Sequence, residues 1–204
     1  MPSTITPHTT KQIPFSVAIV TDNNDPDNLG RVKIQYPWNK ENDASDWVRV
    51  STLMAGNEQG FFFMPEVEQE VLVAFINADV NSPIIIGALW NVNSLPPQKS
   101  DNGKNNIRKI RSRSGHEIVF DDNIEGSAQK LKITSSSGHK IILDDTSGSE
   151  KISIEDKSGG KIELDTSSNK ISILSSMDIT IEATNIDIKA SGELTLKGAL
   201  IKIN

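Results

Sequence analysis

The chain contains no cysteine. A thiolate nucleophile, a cysteine-ligated zinc site and any disulfide staple are therefore excluded. Aromatic residues make up only 5% of the chain, and none follows Phe120. A polysaccharide-cleaving groove in that region would lack the aromatic lining that sugar binding uses. Long apolar runs are missing as well. Runs such as "FFFM" and "IIIGALW" are too short to cross a bilayer. The opening "MPSTITPHTTKQIPF" has no apolar segment of the secretory kind, so synthesis and folding are expected in a cytoplasm. Basic residues are scarce in one half. Residues 1–101 hold 6 Lys/Arg against 12 Asp/Glu, whereas residues 102–204 hold 15 against 15, for a net charge of −6. Neither half has the basic excess of a nucleic-acid binder, so no nucleic-acid partner is expected.

What is present falls into two patterns. Residues 12–92 carry short apolar segments separated by turn-forming stretches such as "DNNDPDNLG", "NKENDASD" and "NADVNSP". The candidate strands are Phe15–Val20, Gly30–Tyr36, Trp47–Ser51, Glu70–Ile76 and Pro83–Leu89. "EVLVAFI" and "IIIGAL" are almost continuously apolar, as expected of strands buried on both faces. No amphipathic helix is legible. Five short strands in this length predict a small closed barrel of the oligonucleotide/oligosaccharide-binding (OB) kind. Residues 93–109 are polar and carry Pro96-Pro97, and read as a linker after a barrel at 12–92 and an N-terminal extension at 1–11.

From residue 110 to 204 the chain repeats itself. "SGHEIVFDD" (114–122), "SGHKIILDD" (137–145) and "SGGKIELDT" (158–166) place their glycines 23 and 21 residues apart. Between them lie "KLKI", "KISI" and "KISI", beginning at Lys130, Lys151 and Lys170. After residue 176 the beat tightens to 7 or 8 residues through "DITI", "IDIK", "ELTL" and "LIKI". Nearly every segment offers two aliphatics to one face: Ile118/Phe120, Leu131/Ile133, Ile141/Leu143, Ile152/Ile154, Ile162/Leu164, Ile171/Ile173, Ile179/Ile181, Ile186/Ile188, Leu194/Leu196 and Ile201/Ile203. A ribbon whose apolar face is two residues wide buries too little to stand alone. Several copies around one axis bury every pair at once. The expectation is an all-β chain whose C-terminal half forms a homotrimeric β-prism or triple-stranded β-helix. Its trimer core would comprise Ile118, Phe120, Ile141, Leu143, Ile162, Leu164, Ile179, Ile181, Ile186, Ile188, Leu194 and Leu196. Such a shaft is stiff, which favours a mechanical role over a catalytic one.

Four other groups invite sharper readings. His116 and His139 occupy equivalent repeat positions, which would stack metal sites on a threefold axis, but the third repeat has Gly160 and the residues read as turn-flanking histidines. The acidic turns at Asp121-Asp122, Asp144-Asp145 and Asp165 lack the glycine pattern of a calcium β-roll and read as turn caps. "FFFMP" (61–65) reads as core plus subunit contact, with alternation burying some of the three phenylalanines. Glu66, Glu68 and Glu70 alternate like a carboxylate pair of a glycosidase, but read as a hydrated strand edge. No catalytic residue, metal or cofactor is expected.

"LGRVKIQYPW" (29–38), the segment 46–91 from "DWVRV" through "EVLVAF" to "GALWN", and "SGHEIVFDD" (114–122) strongly resemble the central spike proteins of contractile injection systems, the VgrG and phage baseplate assembly protein V family. The resemblance spans residues 12–204. It implies an OB barrel followed by a trimeric β-helix, docking on a baseplate hub at the tail tube, and sheath-driven puncture of a target envelope. It also implies a PAAR-type tip protein seated on the blunt end of the shaft, with effector cargo as a further passenger. Gly198, Leu200, Ile201, Lys202, Ile203 and Asn204 are the expected tip seat. Assembly is then expected in a bacterial cytoplasm, with action in a phage tail or injection particle at another cell's envelope. Family members with an iron-bound tip carry a His-x-His pair, and no histidine follows His139. VgrG-type chains carry large hub domains ahead of the barrel, so the hub is expected as a separate chain or as a missing part of a longer one. A trimeric tailspike that binds or degrades surface polysaccharide is the alternative.

Overall fold

A computed structural model of the chain describes residues 14–39, 44–100, 103–125 and 127–203. The fold is all-β. Among the described residues the only helical segment is a 3₁₀ turn at Ile76–Ala78. The chain divides into two compact units, Met1–Pro96 and Pro97–Asn204.

The first unit is a closed five-stranded barrel. Its strands are β1 (Phe15–Asp22), β2 (Arg31–Gln35), β3 (Val48–Val50), β6 (Glu70–Phe75) and β7 (Pro83–Leu89), in the order β1-β2-β3-β7-β6. Two short strands, β4 (Ala55–Gly56) and β5 (Gln59–Gly60), form a separate hairpin between β3 and β6. All barrel pairings are antiparallel except β3 with β7. Period-two alternation sends one side of each strand inward. The inward set is Ala18, Val20, Val32, Ile34, Val48, Val71, Val73, Phe75 and Ile85, all buried. Register shifts between Val20 and Asp22, and between Leu72 and Val73, bend strands as a small barrel requires. These five strands lie where the alternation of the sequence places them. Ile85 is fully buried at the centre. Ile85→Ala is expected to destabilise the barrel by about 2–5 kcal/mol, measurable by thermal denaturation.

The second unit is a seven-stranded antiparallel meander. It comprises β8 (Ile107–Arg111), β9 (Glu117–Asp121), β10 (Lys130–Thr134), β11 (Lys140–Asp144), β12 (Lys151–Glu155), β13 (Lys161–Asp165) and β14 (Lys170–Leu174), each paired to the next. The repeat glycines serve alternate turns. Gly115, Gly138 and Gly159 have φ of 90°, 98° and 94°, a region that a side chain disfavours. In the same turns the side chains of Ser112, Ser135 and Asp156 accept from the backbone N–H of His116, His139 and Gly160 at 2.8–3.0 Å. This is the local reason for a Ser/Asp residue five places ahead of β9, β11 and β13.

Residues 175–203 form no strand within the single chain. Each hairpin of the meander uses about ten residues per strand, whereas the 7–8 residue beat of this segment leaves too few for a strand plus a turn back onto it. The antiparallel meander and this extended segment are therefore distinct parts of what the repeat pattern treats as one shaft.

Candidate functional site

The register of the meander converts the repeated aliphatic pairs into two continuous rows. One row runs Ile110, Ile118, Ile133, Ile141, Ile154, Ile162 and Ile173, seven isoleucines directly opposite one another across seven strands. The second runs Arg108, Phe120, Leu131, Leu143, Ile152, Leu164 and Ile171. Cross-strand aliphatic neighbours of this kind are the unit of sheet stabilisation. In the single chain the rows face solvent. Ile154, one strand from the centre, is 50% exposed, and Ile171, on the edge strand, is 71% exposed. Contiguous apolar surface on this scale marks an interaction site.

The opposite face is mostly polar, with Val119 and Ile142 in its central row, and is more covered. Ser153, in the middle of β12, is 1% exposed. Long charged side chains close over this face. Lys161 reaches Glu163 at 2.6 Å and Glu155 at 3.4 Å, Lys151 reaches Glu163 at 3.7 Å, and Lys109 and Arg111 both hold Glu117, at 3.3 and 2.9 Å. Along one margin the register alternates in charge: Asp121, Lys130, Asp144, Lys151, Asp165, Lys170. This ladder explains why the second half is rich in charge yet neutral. It also favours this register, because a slipped strand loses these opposite-charge pairs.

Two aspartates of this margin have strongly lowered pKa values. Burial opposes ionisation of Asp144, but hydrogen bonds from Lys130 and Thr146 outweigh it and hold the carboxyl at about 2. For Asp165 the cause is hydrogen bonding from Ser167 and Ser168, which also brings it to about 2. A carboxyl depressed from 3.8 contributes stability that is complete above that value and lost as pH falls toward 2. The meander is expected to lose stability between about pH 4 and pH 2, and Asp144→Asn to flatten that part of the curve. Acid titration followed by circular dichroism checks this.

The expected core residues divide between two settings. Ile118, Phe120, Ile141, Leu143, Ile162 and Leu164 come together on the two rows. Ile179, Ile181, Ile186, Ile188, Leu194 and Leu196 lie in the extended segment and are 51–67% exposed in the single chain. Of the expected tip seat, Leu200, Ile201 and Ile203 are exposed at 73%, 49% and 86%, and Lys202 is exposed. Gly198 sits 3.4 Å, measured from its would-be Cβ, from the Leu200 carbonyl. Asn204 lies outside the described residues. Strand β8 begins at Ile107, within the stretch read from sequence as linker, and Ile110 joins the isoleucine row.

The other candidates take structural places. His116 Nδ1 accepts from Ser136 N–H at 3.2 Å, and His139 Nδ1 from Lys157 N–H at 3.4 Å, so each histidine ties one hairpin turn to the next. No cluster of metal-ligating side chains occurs among the described residues. Glu70 accepts from Asn91 at 2.7 Å, and Glu68 sits in a tight turn with φ of 73°. Phe61, Phe62 and Phe63 are 52%, 81% and 70% exposed. The strand ends at Gly60, so alternation does not carry any of them into the core, and the core part of that expectation is corrected.

Residues 16–90 match the family described as the type VI secretion system/phage-baseplate injector OB domain. The chain is 34% identical over 113 residues to the type VI secretion system spike protein VgrG3 of Vibrio cholerae, covering 52% of this chain and 11% of that protein. It is 34% identical over 104 residues to the actin cross-linking toxin VgrG1 of Vibrio cholerae, covering 47% of this chain and 10% of that one. Over 94 residues it is 33% identical to the spike protein VgrG1a of Pseudomonas aeruginosa, covering 44% of this chain and 15% of that protein. The chain thus spans about a tenth to a seventh of the length of these relatives.

Proposed function

We propose, from the premise that residues 16–90 belong to the type VI secretion system/phage-baseplate injector OB-domain family, that this chain is a non-enzymatic central spike of a contractile injection machine. Three copies turn the two aliphatic rows toward a common axis and leave the ion-paired faces outside. Residues 175–203 from the three chains wind together beyond the meander, each finding in its neighbours the strand partners it lacks within the chain. The barrels dock on the baseplate hub and tail tube. The shaft leads through the target envelope, with a PAAR-type tip protein seated on the exposed Leu200, Ile201 and Ile203 and with effectors as optional cargo. Assembly takes place in the bacterial cytoplasm before delivery.

The observation that carries this reading is the isoleucine row. Seven isoleucines on seven consecutive strands, six of them exposed in one chain and Ile118 half-buried, are a surface built for burial. A polysaccharide-degrading tailspike has no comparable support, since no aromatic residue follows Phe120. Light-scattering mass of the full chain tests the proposal. The expected value is three times the 22.3 kDa of one chain, and a single-chain mass at micromolar concentration overturns it.

A further inference from the structure

Within the trimer proposed above, on which this inference rests, we infer that neighbouring barrels join head to tail: the outer face of β1 and β6 on one copy seats in an apolar concavity on the next. Exposed sides of antiparallel strands are ordinarily polar. Here the outward residues of β1 are Phe15, Val17 and Ile19, exposed at 56%, 37% and 37%, followed by Thr21, while Ala18 and Val20 point inward and are buried. Their cross-strand neighbours on β6 are Ala74, Leu72 and Glu70. Of the two strands, β6 was expected from sequence to be buried on both faces; in the single chain its inner face is buried and its outer face only half-buried.

The second surface is on different elements. Residues 28–30 and the loop 50–64 enclose a concavity of about 530 Å³. Leu29, Met54, Phe61 and Phe62 line it, each between 48% and 81% exposed. Its wall is preformed. Phe61 N–H donates to the Met54 carbonyl at 3.1 Å, and Thr52 Oγ1 donates to the Phe61 carbonyl at 2.7 Å. Gly60 has φ of 144°, and a Cβ there would stand 2.2 Å from the Met54 oxygen, so the loop has no alternative residue at that point.

Three arguments make a second copy the occupant. A closed ring of three needs two different, complementary surfaces on every subunit, and this barrel presents a raised apolar sheet face and an apolar hollow. The barrel half carries twice as many acidic as basic residues, so copies repel each other wherever charged faces meet. Both surfaces are nearly free of charge: the first contains only Glu70, which is held by Asn91, and the second only Glu58. Finally, association of the shafts brings the barrels to high effective concentration, so a modest contact suffices.

Because the chain has no native cysteine, introduced thiols report contacts cleanly. The full chain is prepared with Val17→Cys, with Phe62→Cys and with both, and treated with a short bis-maleimide. The expected result is covalent dimers and trimers on a denaturing gel from the double variant only. Ile19→Cys with Gln59→Cys reads the same contact without removing an aromatic, and a variant with a three-chain mass is required for scoring. Linking in the single variants, which signals like-to-like contact, overturns the inference. So does a double variant of three-chain mass that does not link in either pair. An unmodified chain of single-chain mass refutes the underlying trimer instead, and the inference falls with it.

Discussion

Replacing Ile154 with aspartate is expected to abolish the three-chain assembly, at a far smaller direct cost to the sheet of one chain. The two effects separate because of where the residue stands. In one chain Ile154 is 50% exposed, and the substitution removes its two cross-strand aliphatic contacts, at about 0.2–1 kcal/mol each. In the proposed trimer it lies mid-row, with Ile141 on one side and Ile162 on the other, and three copies converge on the axis. An unpaired buried carboxylate costs about 3 kcal/mol or more, and three of them lower the association constant by roughly a millionfold. Ile154→Val is the control. It removes one methylene group, costs about 0.5–1.5 kcal/mol and retains the assembly. Light scattering reads the mass, and far-ultraviolet circular dichroism reads the strand content. A three-chain mass for Ile154→Asp would remove the aliphatic rows from the interface. Loss of strand signal together with assembly would mean that the meander does not stand without its partner chains.

The barrel strands were legible because alternation and turn residues coincide there: "RVKIQY" gives both the strand and its inward Val32 and Ile34. The aliphatic pairs were legible because the repeats line up. Their continuity across the sheet was not, since it depends on register. The alternating margin from Asp121 to Lys170 appears only once neighbouring strands are set side by side. Strand β8 escaped for a simple reason. "IRKIR" has Arg108 where every later strand has an apolar residue, so the pair that marks the repeat is broken. The "FFFMP" segment misled because alternation was extended past Gly60, where backbone geometry ends the strand. In residues 175–203 the same two-aliphatic pattern continues with no partner in the chain. Side-chain pattern identifies which residues want burial; it does not say whether the covering surface belongs to the same molecule.

One further residue, inconspicuous in an acidic turn, is expected to control the barrel. Asp25 is 8% exposed. Its carboxylate accepts from the backbone N–H of Asp27, Leu29 and Arg31 at 3.1, 3.0 and 3.2 Å, and from Arg31 Nε and Nη2 at 2.9 and 2.7 Å. Asp27 adds a second contact to Arg31 at 2.6 Å. This one side chain therefore folds the loop between β1 and β2 around itself, with Asn28 and Gly30 at φ of 55° and 69°. Asp25→Ala leaves three backbone donors and most of a guanidinium without their acceptor, and removing one member of a buried pair is among the most damaging single changes. The melting temperature of the barrel is expected to fall as far as it does on truncation of a core aliphatic. Asp25→Asn, which keeps one acceptor oxygen, is expected to fall between that variant and the parent. The Arg31 side chain first, and the backbone donors with it, hold the Asp25 carboxyl well below the usual carboxylate range against the opposing effect of burial. Its contribution is therefore complete above about pH 4 and declines as pH falls below that. The Asn variant should lose less stability than the parent over the same acid range. Equal acid sensitivity in both would show that Asp25 is not the group responsible. The loop also supplies Leu29 and Gly30 to one wall of the apolar concavity, so Asp25→Ala should lose the Val17–Phe62 cross-link at temperatures where the shaft still holds three chains together.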